Sequence, residues 1–266
     1  MRLSGVRAMN PRSGARGHTL LELTISLALG LLVIVAALSL YRGQRAAFER
    51  AADVARMHDA GVSALDLVAQ QLQMAGSGPA RVDAALFGCV QGRVIGADTA
   101  ASCESLASRS DGVQVRYAAD AVATWPTSTG APTDCIGQAV ADAFVVNRFY
   151  AKPSTSTGEP ELYCEGGGKQ AQPLVEGIER IRIVYSLPGT SSALDASAIP
   201  RGRWPDVRAA ELCVLVRSYA ATAKRRTSYV DCNGAPAIAD DGRVRQSFWR
   251  RIEMRNAATA SARGGA

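Results

Sequence analysis

Residues 16–41 read RGHTLLELTISLALGLLVIVAALSLY, and the 21 positions from Leu20 to Leu40 carry a single charge, Glu22. Wound as a helix at ~1.5 Å per residue, that run is ~30 Å long, the thickness of a bilayer's hydrocarbon core. Arg2, Arg7, Arg12 and Arg16 precede it with no acid among them. Positive charge holds its side of a spanning segment in the cytoplasm, so the residues after the run are expected on the far side.

Three readings of the run compete. A secretory signal has a shorter apolar stretch, about 7–15 residues, followed by a small-x-small cleavage site. Here the stretch is longer, and Tyr41-Arg42-Gly43-Gln44-Arg45 is a poor cleavage region. A plain membrane anchor explains length and orientation but not Glu22, because an acid in hydrocarbon costs on the order of 2–3 kcal/mol at the centre and less near the end. The third reading gives Glu22 work to do. A carboxylate is tolerated in lipid where a cation meets it there.

Arg16-Gly17-His18-Thr19-Leu20-Leu21-Glu22, followed by the apolar run, resembles the class III signal of type IV prepilins and pseudopilins. The resemblance implies that a prepilin peptidase cuts between Gly17 and His18 and methylates the new amine of His18. Glu22 then becomes the fifth mature residue and pairs with the N-terminal amine of an adjoining subunit. The first mature residue of the family is usually Phe and is His18 here; with Gly17 and Glu22 in place, cleavage is expected to proceed.

Beyond the run, Val54, Met57, Gly61, Leu65, Val68 and Leu72 recur at helical spacing and form one stripe, expected to be core. Gly76-Ser77-Gly78-Pro79 stops the helix. After it come short alternating runs separated by Gly/Pro/Ser/Thr loops. Val113 to Tyr117, Phe144 to Tyr150, Leu162 to Cys164, Ile181 to Tyr185, Leu212 to Val216 and Phe248 to Met254 read as strands. Leu174 to Ile178 reads as a short helical turn; 124–133, 151–160 and 186–205 read as loops. The expected fold class is α+β, a long N-terminal helix laid on a single antiparallel sheet. The expected segments are a leader at 1–17, a membrane half of the helix at 18–41, an amphipathic half at 42–75, an exported β-rich domain at 80–256 and a disordered tail at 257–266.

Six cysteines, 89, 103, 135, 164, 213 and 232, all lie in the exported part. An even count in an oxidising compartment points to disulfides. Zinc is disfavoured, because no two cysteines have C-x-x-C spacing and the chain has 2 His. Six cysteines allow fifteen connectivities; short closures favour sequence order, Cys89–Cys103, Cys135–Cys164 and Cys213–Cys232.

The net charge of +6 is mostly the leader's: setting its four arginines aside leaves 26 basic against 24 acidic residues. No basic stripe interleaved with aromatics remains, so no nucleic-acid partner is expected; Lys224-Arg225-Arg226 reads as a solvated loop. With His18 at the membrane end and His58 on the helix, no Ser or Cys triad using His is expected. Asp231, Asp240 and Asp241 sit in turn-rich sequence and read as turn formers. Cys164-Glu165-Gly166-Gly167-Gly168-Lys169 lacks the spacing of a phosphate loop. Trp125, Trp204 and Trp249 are expected to pack in cores or at edges. No enzyme activity, cofactor or metal is expected.

The later blocks DGVQVRY (111–117), DCIGQ (134–138), NRFYA (147–151), LYCEGGG (162–168), QPLVEGIERIRIVY (172–185), AELCVLVRS (210–218) and the closing Phe248 to Asn256 resemble the PilW family of minor pilins. The resemblance implies a protein that joins other minor and major pilins in a complex that primes or caps pilus assembly, beneath a tip adhesin. Piliation, twitching motility and adhesion would follow. The chain would sit in the bacterial inner membrane with its C-terminus periplasmic, then in a surface pilus. The rival is a minor pseudopilin of a type II secretion system.

Overall fold

The computed structural model describes residues 17–78, 84–97, 100–120, 124, 126–167, 170–222 and 225–256. The expected leader as far as Arg16, Trp125, Gly168, Lys169, Lys224 and the expected tail from 257 lie outside the described residues. The chain divides into two compact units, residues 1–51 and residues 52–266. One helix, α1 (Leu20–Met74), runs through both.

In the second unit α1 buries Met57, Gly61, Ala64, Leu65, Val68, Ala69 and Leu72. These recur every three or four residues, the spacing that puts side chains on one face. Val54, expected in this stripe, is instead 57% exposed, because the apolar cover begins only at Met57. The helix ends where the chain turns through Gly76-Ser77-Gly78, and the Gly76 amide donates to Arg116 O at 3.0 Å.

Thirteen strands follow among the described residues. In chain order they are β1 (Leu86–Cys89), β2 (Gly92–Ile95), β3 (Ser102–Ser105), β4 (Gly112–Ala118), β5 (Phe144–Pro153), β6 (Pro160–Gly166), β7 (Gln172–Glu176), β8 (Ile178–Ser186), β9 (Leu194–Asp195), β10 (Ala209–Ala221), β11 (Thr227–Val230), β12 (Pro236–Ala239) and β13 (Arg243–Glu253). Where one sheet was expected, the strands form two: a five-stranded sheet ordered β1-β4-β5-β6-β7 and a four-stranded sheet ordered β13-β10-β8-β9. Two ribbons, β2–β3 and β11–β12, complete the set, and every pairing between strands is antiparallel.

The expected helical turn at 174–178 is also overturned, because its first residues pair as a strand with β6. Leu174 and Val175 lie in β7, with Val175 paired to Leu162 of β6. Gly177, at φ 82°, then carries the chain from one sheet to the other. Its amide donates to Pro160 O at 2.7 Å on the five-stranded side, and its carbonyl accepts from the Arg217 amide at 2.8 Å on the four-stranded side. An L side chain is strained at that φ and would sit 3.3 Å from Arg217 O.

The core gathers Val113, Val115 and Tyr117 of β4, Phe149 of β5, Ile181, Ile183 and Tyr185 of β8, and Leu212, Val214 and Val216 of β10 with the helix face. Alternation along each strand turns these inward. Gln71 of α1 enters this interior. Tyr117 Oη donates to Gln71 Oε1 at 3.1 Å, and Asn147 Nδ2 donates to the same oxygen at 2.8 Å. Asn147 Nδ2 also donates to Tyr117 Oη at 3.1 Å. Burial pushes the Tyr117 pKa up to about 12, with its hydrogen bonds to Gln71 and from Asn147 pulling it back.

Ser110 and Asp111 lace the two sheets together. β8 pairs with β9 only at Val184 and Tyr185, which leaves the rest of its edge open. Asp111 N–H donates to Ile181 O at 2.9 Å, Ile181 N–H to Ser110 Oγ at 3.1 Å, and Ile183 N–H to Asp111 Oδ2 at 2.9 Å. A two-residue segment thus occupies the edge as a strand would. Asp111 Oδ1 also accepts from the Gln91 amide at 2.8 Å.

The disulfides are Cys89–Cys103, Cys135–Cys164 and Cys213–Cys232, with Cα–Cα separations of 5.6, 6.4 and 5.6 Å. The first holds the β2–β3 ribbon to the end of β1. The last ties the residue just after β11 to the middle of β10.

Candidate functional site

The N-terminal unit is described from Gly17. Thr19 opens α1 as its N-cap: the Glu22 amide donates to Thr19 Oγ1 at 3.3 Å, and the Leu23 amide donates to Thr19 O at 3.1 Å. A Thr hydroxyl suits that place because the first amides of a helix have no partner within it. Glu22 falls in the first turn, where a carboxylate meets the positive end of the helix dipole. Thr19 had no role in the sequence reading; the signal for it was Thr-x-x-Glu directly before an apolar run.

His18 and Glu22 are brought together, with His18 Nδ1 3.4 Å from Glu22 Oε2 and side-chain exposures of 81% and 61%. Gly17 precedes them in open space, and a side chain there would touch nothing within 4 Å. From Leu20 onward the apolar residues are exposed on every side, among them Leu21, Leu23, Leu27, Leu31, Val35 and Leu40. A helix apolar all round is one made to be surrounded, by lipid or by other helices. Glu22 is the one charge in that stretch.

The other chemistry-bearing residues take structural places. His58 meets the Phe248 ring edge-on, centroids 5.7 Å apart, and its Nδ1 lies 3.9 Å from Asp59 Oδ1. Asp231 Oδ1 accepts from the Asn233 and Ala235 amides at 2.8 and 3.0 Å, shaping a turn. Asp240 pairs with Arg226, and Asp241 with Arg245. Cys164 is in its disulfide. Trp204 is buried, edge-on to Tyr185 at 5.0 Å, whereas Trp249 is 49% exposed on β13.

Sequence reasoning missed an ionic cluster that closes the β5–β6 turn onto the four-stranded sheet. Glu159 accepts from Arg217 at 2.7 Å and from both Arg243 nitrogens at 2.9 and 3.0 Å. Arg245 bridges Glu179 and Asp241 at 2.7 and 2.8 Å. Partial burial works against the Glu159 charge, but the two guanidinium groups outweigh it and hold the carboxyl below its ordinary range. The Arg245 hydrogen bond does the same for Asp241. These residues lie far apart in sequence, so no local pattern announces them.

Residues 148–256 match the model of the family described as Type IV Pilus-assembly protein W (PilW). The matched stretch runs from within β5 to the end of the described chain and lies wholly in the second unit. It includes the blocks LYCEGGG, QPLVEGIERIRIVY and AELCVLVRS; DGVQVRY and DCIGQ lie ahead of it. No curated protein matches the chain. Among solved structures the chain is similar to a type IV-like pilin from Thermus thermophilus, at 18% identity and a TM-score of 0.42, over 76% of this chain and 99% of that one.

Proposed function

We propose that this chain, PilW-like across residues 148–256, is a minor pilin that enters a pilus by its N-terminal helix and helps prime or cap assembly with other minor pilins. The observation that carries the reading is Glu22, a lone carboxylate one turn into a wholly exposed apolar helix. Cleavage between Gly17 and His18 would remove the arginine-bearing leader and create a cationic amine beside His18. On a staggered neighbour that amine lies opposite Glu22. A subunit docked in the wrong register leaves both charges unpaired in hydrocarbon, each at a cost below the roughly 2–3 kcal/mol of a central charge because both lie near the helix start. The pair thereby selects one stagger. Peptidase, major pilins and a tip adhesin are the partners this role requires, and the inner membrane is where the chain waits before assembly.

The test is N-terminal sequencing of the chain from membranes, together with incorporation of Glu22→Ala into sheared pili. The expected start is a methylated His18, and the alanine variant is expected to stay in the membrane fraction. A chain that keeps its leader, or an alanine variant incorporated like wild type, overturns the proposal. A deletion that blocks protein secretion while sparing piliation would assign the chain to a secretion system instead.

A further inference from the structure

The outer face of the five-stranded sheet holds a polar cleft of about 730 Å³ between the β2–β3 ribbon, the β5–β6 hairpin and the start of β7. Its floor is a stacked pair, Tyr150 and Tyr163, with ring centroids 6.1 Å apart and planes 14° from parallel. The charges around it are unevenly matched. Arg148 is fully engaged, with Gln114, Glu165 and Gly96 O. Arg93 is bound to Glu104. Lys152 has no carboxylate partner among the described residues. Its Nζ lies 4.5 Å from the Tyr163 ring centroid and 6.0 Å from that of Tyr150. Glu161, directly across the ladder from Lys152, is taken by the Tyr163 hydroxyl at 2.6 Å.

One further group is left over. Tyr150 lines the cleft and is fully buried; the Arg93 guanidinium approaches its Oη, but no hydrogen bond of good geometry reaches that oxygen among the described residues. A buried hydroxyl without a partner is costly and calls for one. Among the described residues the cleft therefore offers one cation without a carboxylate and one buried hydroxyl whose hydrogen bonding is incomplete. Around its mouth stand the Ser154 and Ser156 hydroxyls and the Gln172 amide. A single unpaired positive charge suits a monoanion better than a dianion, and the surrounding hydroxyls and amide suit a ligand that is itself hydroxylated.

We propose that this cleft binds a hydroxylated carboxylate, the chemistry of a uronic-acid residue in an acidic polysaccharide. The carboxylate lies against Lys152 Nζ and the Tyr150 hydroxyl, and the sugar hydroxyls face Ser154, Ser156 and Gln172. An extended anionic polymer could thread such an open cleft, each residue presenting the same pair of groups.

The test is calorimetric titration of the full-length chain in detergent with a short oligogalacturonate. A neutral galactose oligomer of equal length and inorganic phosphate serve as comparison probes. Saturable binding of the oligogalacturonate alone is expected. Lys152→Gln and Tyr150→Phe should each weaken it by about tenfold, the loss of one hydrogen bond to a charged group. Lys152→Gln removes an incompletely buried side chain and should leave thermal unfolding unchanged, so its result is readable even if Tyr150→Phe perturbs the sheet. Absence of saturable binding, equal binding of the neutral oligomer or of phosphate, or an affinity indifferent to Lys152→Gln would each overturn the proposal.

Discussion

The Phe248 ring of β13 lies against the helix at Gly61, so close that a methyl group on Gly61 would stand 2.4 Å from the ring. Gly61 is thus the notch through which the helix approaches the four-stranded sheet. The approach is reinforced by an ion pair between Asp66 and Arg250.

Gly61→Ala should therefore destabilise the second unit despite improving helix propensity. Overpacking costs about 1–3 kcal/mol, and the propensity gain returns about 1 kcal/mol. A lower thermal midpoint is expected in the wild-type background and a raised one in a Phe248→Ala background. Equal effects in the two backgrounds would show that the ring is not what the methyl meets.

Asp111 holds Gln91 and Ile183 by their amides. Asp111→Ala should cost about 3 kcal/mol, since two donors lose a charged acceptor inside the fold. Burial raises the Asp111 pKa, against the pull of its two backbone hydrogen bonds and of Arg182. A carboxyl whose folded pKa is raised gives a stabilising share that is full below its unfolded value and lost as pH rises through the folded one. Asp111→Asn should remove that decline just above the ordinary carboxylate range, seen in denaturant titrations at stepped pH.

The carboxylates of Glu159 and Asp241 behave in the opposite sense, because their folded pKa values are lowered. Their contribution is complete above the unfolded pKa, about 4, and is lost as pH falls through the folded values. Glu159→Gln should cost about 1 kcal/mol at neutral pH, a modest figure for a partly exposed cluster. The variant should also flatten the acid limb of the stability curve. An unchanged acid limb would mean that Arg217 and Arg243 find other partners.

What local pattern could specify, the sequence specified. The apolar run with Glu22 and the stripe from Met57 to Leu72 need only neighbours three and four residues away, so α1 was legible to within a turn. The alternating strands around Val113, Ile181 and Val214 were legible for the same reason, since period-two burial is written in the residues themselves. Tertiary structure decided the rest. The split into two sheets depends on Gly177 bonding to Pro160 on one side and Arg217 on the other, and no window around Gly177 contains Arg217. Glu159 meets Arg243 across 84 positions, and Gln71 reaches Asn147 across 76. Such partners are fixed by how folded layers close on each other. The apolar helix with its single Glu22 was therefore readable from the chain alone, and the cleft over Tyr150 was not.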